Sequence, residues 1–288
     1  RQSIPKGLLR QCVNGVYRGI GYNHIPVFFD LQLLDAASVQ IGDRIGQQLT
    51  ADHMVPGFCF RGIRQRIRIV IDSIIVNKSS FLEAYNISAS SGHILWNDDN
   101  NGTIHENELG NKRILSEMTD DKMQLYTQAK LLNGWGEKHE IESLNVLGNV
   151  NYPFMLGDGV TLYFASDGEG SLGGYDIFVT RYDSEDKTYL RPSNIGMPFN
   201  STANDYLYVI DELNNFGWFV TDRNQPADCA CVYVFIPNES KQSYNYEATD
   251  LQVIIDAATL RNIRTTWTDM NEVNAALSRL EKAKNVEV

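Results

Sequence analysis

The clearest alternation of apolar and polar residues lies in the middle of the chain. RIVIDSIIVNK (68–78) is β-branched at strand spacing and predicts a strand. SSFLEAY (79–85) then predicts a short helix, with Ser79 as its cap and Glu83 near the capping-box position. From about 110 to 236 the pattern is that of strands, and it repeats. RILSEMTDDKMQLYTQAKLLNGWGE, TLYFASDGEGSLGGYDIFVTRYDSEDKTYLRP and GWFVTDRNQPADCACVYVFIPN share one plan. Each opens on an apolar strand ending in a hydroxyl and an acid: Ser116-Glu117, Ser166-Asp167, Thr221-Asp222. A polar turn follows, then a strand centred on an aromatic, Tyr126, Phe178 or Tyr233. The hydroxyls stand 50 and 55 residues apart, near the roughly 40–50 residues of one four-stranded propeller blade. DYLYVIDE (205–212) predicts another strand, and NNFG (214–217) the hairpin turn into GWFVT.

Either side of this region the pattern changes. Up to about Phe60 the chain is interrupted by glycines and has no clear period. Near the other end, TDMNEVNAALSRLEKAKN predicts a helix capped by Thr268, with Val273, Ala276, Leu277 and Leu280 at helical spacing. That single apolar stripe requires a surface to cover it.

The composition, 43% hydrophobic and 21% charged, is that of a globular protein, and no apolar run approaches the roughly 18 residues of a membrane helix. Arg1 opens without the basic and apolar segments of a leader, which reads as a mature chain or a fragment. A net charge of −11 argues against nucleic-acid binding. RGIRQRIRIV (61–70) is the local exception, its arginines alternating like one solvated face of a strand. Cys229 and Cys231 share one face of a strand; with no second pair at zinc spacing, buried small apolar residues is the preferred reading. Their disulfide state stays open.

Three stretches invite a chemical reading. Residues 168 to 173 of SDGEGSLGGYDIF spell G-x-G-x-x-G, but YDIFVTRY follows as a strand, whereas a dinucleotide loop opens a helix whose amides hold the phosphates. The glycines are therefore read as a hairpin connection needing φ > 0 or close backbone approach, with Asp167 and Asp176 fixing the turn. In NDDNNGTIHENE, with Gly102 at position 6, Asn97, Asp99, Asn101, Thr103 and Glu108 fall on positions 1, 3, 5, 7 and 12 of a calcium loop. Asn stands where Asp is expected first, and SASSGHILW is a poor helix, so an Asx-rich turn into a strand is preferred over a calcium site; no other cofactor or metal is expected. His24, His53, His93, His105 and His139 form no catalytic spacing. Asp205, Asp211, Glu212 and Asp222 are the acids from which a glycosidase pair would come, and Trp96, Trp135 and Trp218 the rings for a glycan platform.

YPFMLGDGVTLYFASDGEGSLGGYDIFVTRYD and GMPFNSTANDYLYVIDELNNFGWFVTDR resemble the WD40-like (PD40, TolB-like) β-propeller repeat, roughly S-x-D-G-x-x-L-x-F-x-S-D-R-x-G-x-x-D-I-Y. Asp158, Gly159, Leu162, Phe164, Ser166, Asp167, Gly174, Asp176, Ile177 and Phe178 match it. The wording is similar to the propeller region of PorE-like TPR/PD40/OmpA proteins of the Bacteroidetes cell envelope. The chain shows neither a TPR array nor an OmpA-like region, so peptidoglycan anchoring is not carried over. The resemblance implies an all-β, propeller-like fold, with 1–66 a poorly patterned N-terminal region, 67–245 the propeller domain and 246–288 a C-terminal helical segment. Three clear repeats are few for a ring, so strands from 68–108 are expected to contribute. It further implies a periplasmic or outer-membrane-associated place, peripheral to the membrane at most, and non-enzymatic binding of other envelope proteins. Asp167, Gly168, Glu169, Gly173, Gly174 and Asp176 are the candidate partner-binding residues. A propeller glycoside hydrolase or glycan-binding module is the alternative.

Overall fold

The computed structural model describes residues 17–18, 69–97, 102–237, 256, 259–267 and 269–285. The arginines at 61–68 and most of 1–66 lie outside the described residues. Tyr17–Arg18 forms a short strand, β1, paired antiparallel with β2 (Val70–Asn77). After β2 comes a 3₁₀ helix, Lys78–Ala84, in place of an α-turn capped by Ser79. Its cap is Asn77, whose Oδ1 accepts the Ser79 N–H at 2.9 Å. Phe81 is its one buried side chain, so no apolar stripe exists to stabilise a regular helix.

Three antiparallel sheets follow. The first runs β3 (His93–Trp96), β4 (Thr103–Glu106), β5 (Lys112–Thr119), β6 (Lys122–Leu131) and β7 (Gly134–Trp135), with β8 (His139–Glu140) also on β6. A short helix, α1 (Glu142–Asn145), leads to the second sheet: β9 (Val150–Met155), β10 (Thr161–Ser166) and β11 (Asp176–Asp183), with β12 (Thr188–Tyr189) and β13 (Ser193–Asn194) both on β11. The third holds β14 (Asp205–Asp211), β15 (Phe216–Thr221) and β16 (Cys229–Phe235). It is completed by β2, which pairs with β16 from Asn77↔Cys229 to Val70↔Phe235. The fold is thus all-β with a C-terminal helix, and a strand preceding the repeats completes their last sheet.

The repeat is real in three dimensions, with one shift. Tyr126, Phe178 and Tyr233 oppose Leu115, Phe164 and Phe219 across equivalent hairpins. Ser166 and Thr221 stand two pairs from that aromatic, opposite Asp176 and Cys231, but Ser116 stands one pair away, opposite Leu125. The cause is the turn. Asp120 and Asp121, both at positive φ (50° and 60°), close β5–β6 as a two-residue hairpin, whereas the second sheet spends residues 167–175 on the same connection.

Alternation along β16 explains its burial on both faces. Ala230, Val232 and Val234 enter one core cluster, while Cys231, Tyr233 and Phe235 enter another with Ile177 of β11 and Phe199. A third cluster joins the first two sheets through Ile114, Leu125, Leu144, Leu162 and Phe164. The helix α2 (Met270–Asn285) lays Val273, Ala276 and Leu280 on the first cluster, so the stripe read from the sequence covers the free face of the third sheet. Asp269, accepting the N–H of Asn271 at 2.8 Å, does the capping assigned to Thr268; Thr268 itself lies outside the described residues. Phe81 sits where all three sheets converge, its ring centroid 5.0 Å from Trp96, 5.9 Å from Tyr152 and 6.0 Å from Tyr206.

His105 ties the first sheet to the second. Its Nδ1 accepts the Met155 N–H at 3.3 Å, so Nε2 carries the proton and donates to the Ser91 carbonyl at 3.0 Å. Phe154 stands edge-on at 4.8 Å. Burial lowers the imidazole pKa from 6.5 to about 4. Because the unfolded chain takes up this proton first, its contribution is whole above pH about 6.5 and is lost as pH falls toward 4, up to about 3 kcal/mol. Urea unfolding at pH 7 and 4.5 checks this: His105→Gln should keep more of its stability on acidification than the native protein does.

Candidate functional site

The glycine loop 167–175 is held between two linkers. Gly168 lies on the linker into its own sheet, where an added Cβ would fall 1.7 Å from the Leu147 carbonyl oxygen. Gly173 and Gly174 lie on the linker into the next sheet, where a Cβ would fall 2.3 Å from the Thr202 oxygen and 2.0 Å from Asn204 Oδ1. Gly170 alone in the loop has a left-handed φ, +92°. The glycines therefore serve mainly close packing of backbone on backbone. Ser171 Oγ donates to the Gly174 carbonyl at 2.7 Å, and Asp176 Oδ2 accepts the Leu172 N–H at 3.0 Å, so the loop is braced internally. As the sequence indicates, a strand follows.

The linkers carry a repeated device. Asn149 gives its N–H and its Nδ2 to the two carboxylate oxygens of Asp167, each at 2.8 Å, while its Oδ1 accepts the Met123 N–H of the preceding sheet at 2.9 Å. Asn204, 55 residues later, does the same with Asp222 (2.8 and 3.0 Å) and the Tyr175 N–H (3.1 Å). Four residues before each stands another asparagine. Asn145 holds the backbone N–H and C=O of Leu125 at 2.8 and 3.1 Å, and Asn200 those of Ile177, both at 2.8 Å. A side-chain amide carries N–H donors and a C=O acceptor side by side, so it substitutes for a strand peptide where the outer strand ends. Asp167 therefore reaches across to a linker, where the sequence suggested it would fix its own turn. It and Glu169 are exposed, and the loop presents them from a clamped backbone.

Beneath the loop is a buried charge cluster. Asp205 and Arg223 form an ion pair at 2.7 Å with side-chain exposures of 0% and 6%. Arg223 also donates Nε to Thr221 Oγ1 and its other nitrogens to the Pro198 and Phe199 carbonyls. Asp205 Oδ2 accepts from the Ser201 N–H at 2.6 Å and Oγ at 2.9 Å. Asp176 is fully buried; Asn194 Nδ2 reaches its Oδ2 at 2.7 Å, and its Oδ1 has no hydrogen-bond partner among the described residues.

The other expected sites resolve as follows. Asp99 and Asn101 lie outside the described residues. Asn97 Nδ2 donates to the Ser116 carbonyl at 2.9 Å, Thr103 begins β4, and Glu108 lies past the far end of that strand. Asp205 and Asp211 terminate the same seven-residue strand, about 20 Å apart by strand rise, too far for a glycosidase pair. Asp211 is held by Ser88 and Asn214. Asp222 binds Lys78 Nζ and Tyr206 Oη, each at 2.7 Å; against the upward pull of burial, these donors keep its pKa low. Trp218 is buried, and Trp135 is flanked by Arg113 at 4.3 Å and Lys130 at 5.6 Å. Cys229 and Cys231 are buried, with burial raising the Cys231 thiol to about 12.

Residues missed in the sequence are Asn145, Asn149, Asn200, Asn204 and Arg223. The signal for the asparagines was present: N-x-x-x-N stands before β9 and again before β14 at a spacing of 55. Comparison with family models, with curated proteins and with solved structures finds no match.

Proposed function

We propose that the chain is a propeller-type binding module that works by protein–protein contact in the bacterial envelope and performs no catalysis. One observation carries the reading: a surface loop bearing the exposed Glu169 is clamped from both sides by linkers of adjacent sheets, with Asp167 as part of the clamp. Clamped backbone lowers the entropy lost on binding, which suits recognition of another protein. The propeller-type reading draws support from the 55-residue repeat of strands and latches and from β2, which precedes the repeats and completes their last sheet. In this reading the ring is open, the 3₁₀ helix and α2 covering the face that a neighbouring blade would otherwise take. Against catalysis stands the use of Asp205, Asp211 and Asp222 by fixed donors, and of both nitrogens of His105. The periplasmic or outer-membrane-associated place rests on the resemblance to PD40 repeats alone.

The test is cross-linking of the purified protein in an envelope extract, beside Glu169→Lys. A protein partner recovered by the native chain and reduced at least tenfold by the substitution, at unchanged melting temperature, is the expected result. Recovery of no partner, or equal recovery by both, overturns it.

A further inference from the structure

The cluster beneath the loop holds two carboxylates, Asp176 and Asp205, and one guanidinium, Arg223. With both acids ionised it would bury an unbalanced negative charge, which a low-dielectric interior strongly disfavours. The hydrogen bonds say which acid yields. Arg223 and Ser201 donate to both oxygens of Asp205. Among the described residues Asp176 receives donors only at Oδ2, from Leu172 and Asn194, and its Oδ1, fully buried, receives none. The two segments meet directly, the Asp205 N–H donating to the Tyr175 carbonyl at 2.7 Å. We propose that Asp176 Oδ1 is a proton site, and that its occupancy stabilises the fold in mildly acidic relative to neutral solution.

The charged groups acting on Asp176 are Asp205 of β14, which opposes its ionisation, and Arg223 beyond β15, which favours it but is committed to Asp205. Asn194 of β13 and the Leu172 N–H stabilise the ionised form. Burial outweighs them and lifts the carboxyl from 3.8 to about 6. A raised native pKa means the folded state holds the proton longer than the unfolded one. The contribution is therefore complete below pH about 4 and lost as pH rises through 6, about a hundredfold in the unfolding equilibrium. This slope is opposite to that of His105 over nearly the same range. The loop is coupled to the proton because the oxygen holding Leu172 belongs to the same carboxyl.

Two measurements decide. Carboxyl ¹³C shifts of the native protein should give Asp176 a midpoint near pH 6; a midpoint at or below 4 overturns the proposal. In urea unfolding between pH 4.5 and 7.5, with His105→Gln in both chains to remove the opposing slope, Asp176→Asn should abolish the decline on the alkaline side. An undiminished decline overturns it. Neither readout depends on a binding partner.

Discussion

Arg223→Met is expected to destabilise the protein by about 3–5 kcal/mol, the cost of leaving one member of a buried ion pair without its partner. The methionine fills much of the volume, so little of the loss comes from a cavity. The loss is polar: Asp205 keeps only the neutral donors Ser201 and Thr221, and the Pro198 and Phe199 carbonyls lose their donors. Adding Asp205→Asn removes the orphaned charge and should recover part of the loss, so the double variant should be more stable than Arg223→Met alone. Urea midpoints of the four chains measure the coupling. Equal stability of the two variants carrying Met would mean that Arg223 serves its carbonyl acceptors and not Asp205.

That arginine shows what sequence reasoning reaches and where it stops. TDR at 221–223 parallels SDG at 166–168, and the repeat itself was legible because hydroxyl, acid and aromatic recur at blade-like spacing. What differs between copies is decided by contacts distant in sequence. At Gly168 the Leu147 backbone occupies the space a side chain would need, while at Arg223 a carboxylate 18 residues earlier demands a cation. No local pattern carries either fact. The third sheet shows the same limit. Its central strands were legible as apolar runs, but β2 as partner of β16 is a pairing across more than 150 residues, and alternation names a strand without naming its neighbour. The helix stripe at 273–280 was legible in the same incomplete way: periodicity gave the face, and only the fold gives the sheet beneath it. Asparagine latches were overlooked because asparagine near a turn ordinarily bonds to its own backbone; two copies in register carry the added information.

Phe81→Ala should cost a further distinct amount, about 3–5 kcal/mol, by opening a cavity at the convergence of the three sheets. The ring is 2% exposed and is the sole buried side chain of its 3₁₀ helix. Trp96 of β3, Tyr152 of β9 and Tyr206 of β14 surround it, one from each sheet, and the last two also meet each other at 5.4 Å. Large rings at the rim cannot collapse inward, because each is fixed by the strand that bears it; the cavity therefore persists and the penalty falls near the upper end of the range. Phe81→Leu retains most of the volume and should cost under about 2 kcal/mol. Near-UV circular dichroism supplies a second reading, since the environment of Trp96 changes directly with the cavity. If Phe81→Ala lowered stability by less than about 1 kcal/mol, the three sheets would not depend on a shared centre. Their association would then rest on the two seam clusters around Phe164 and Phe199, which Phe81 does not touch.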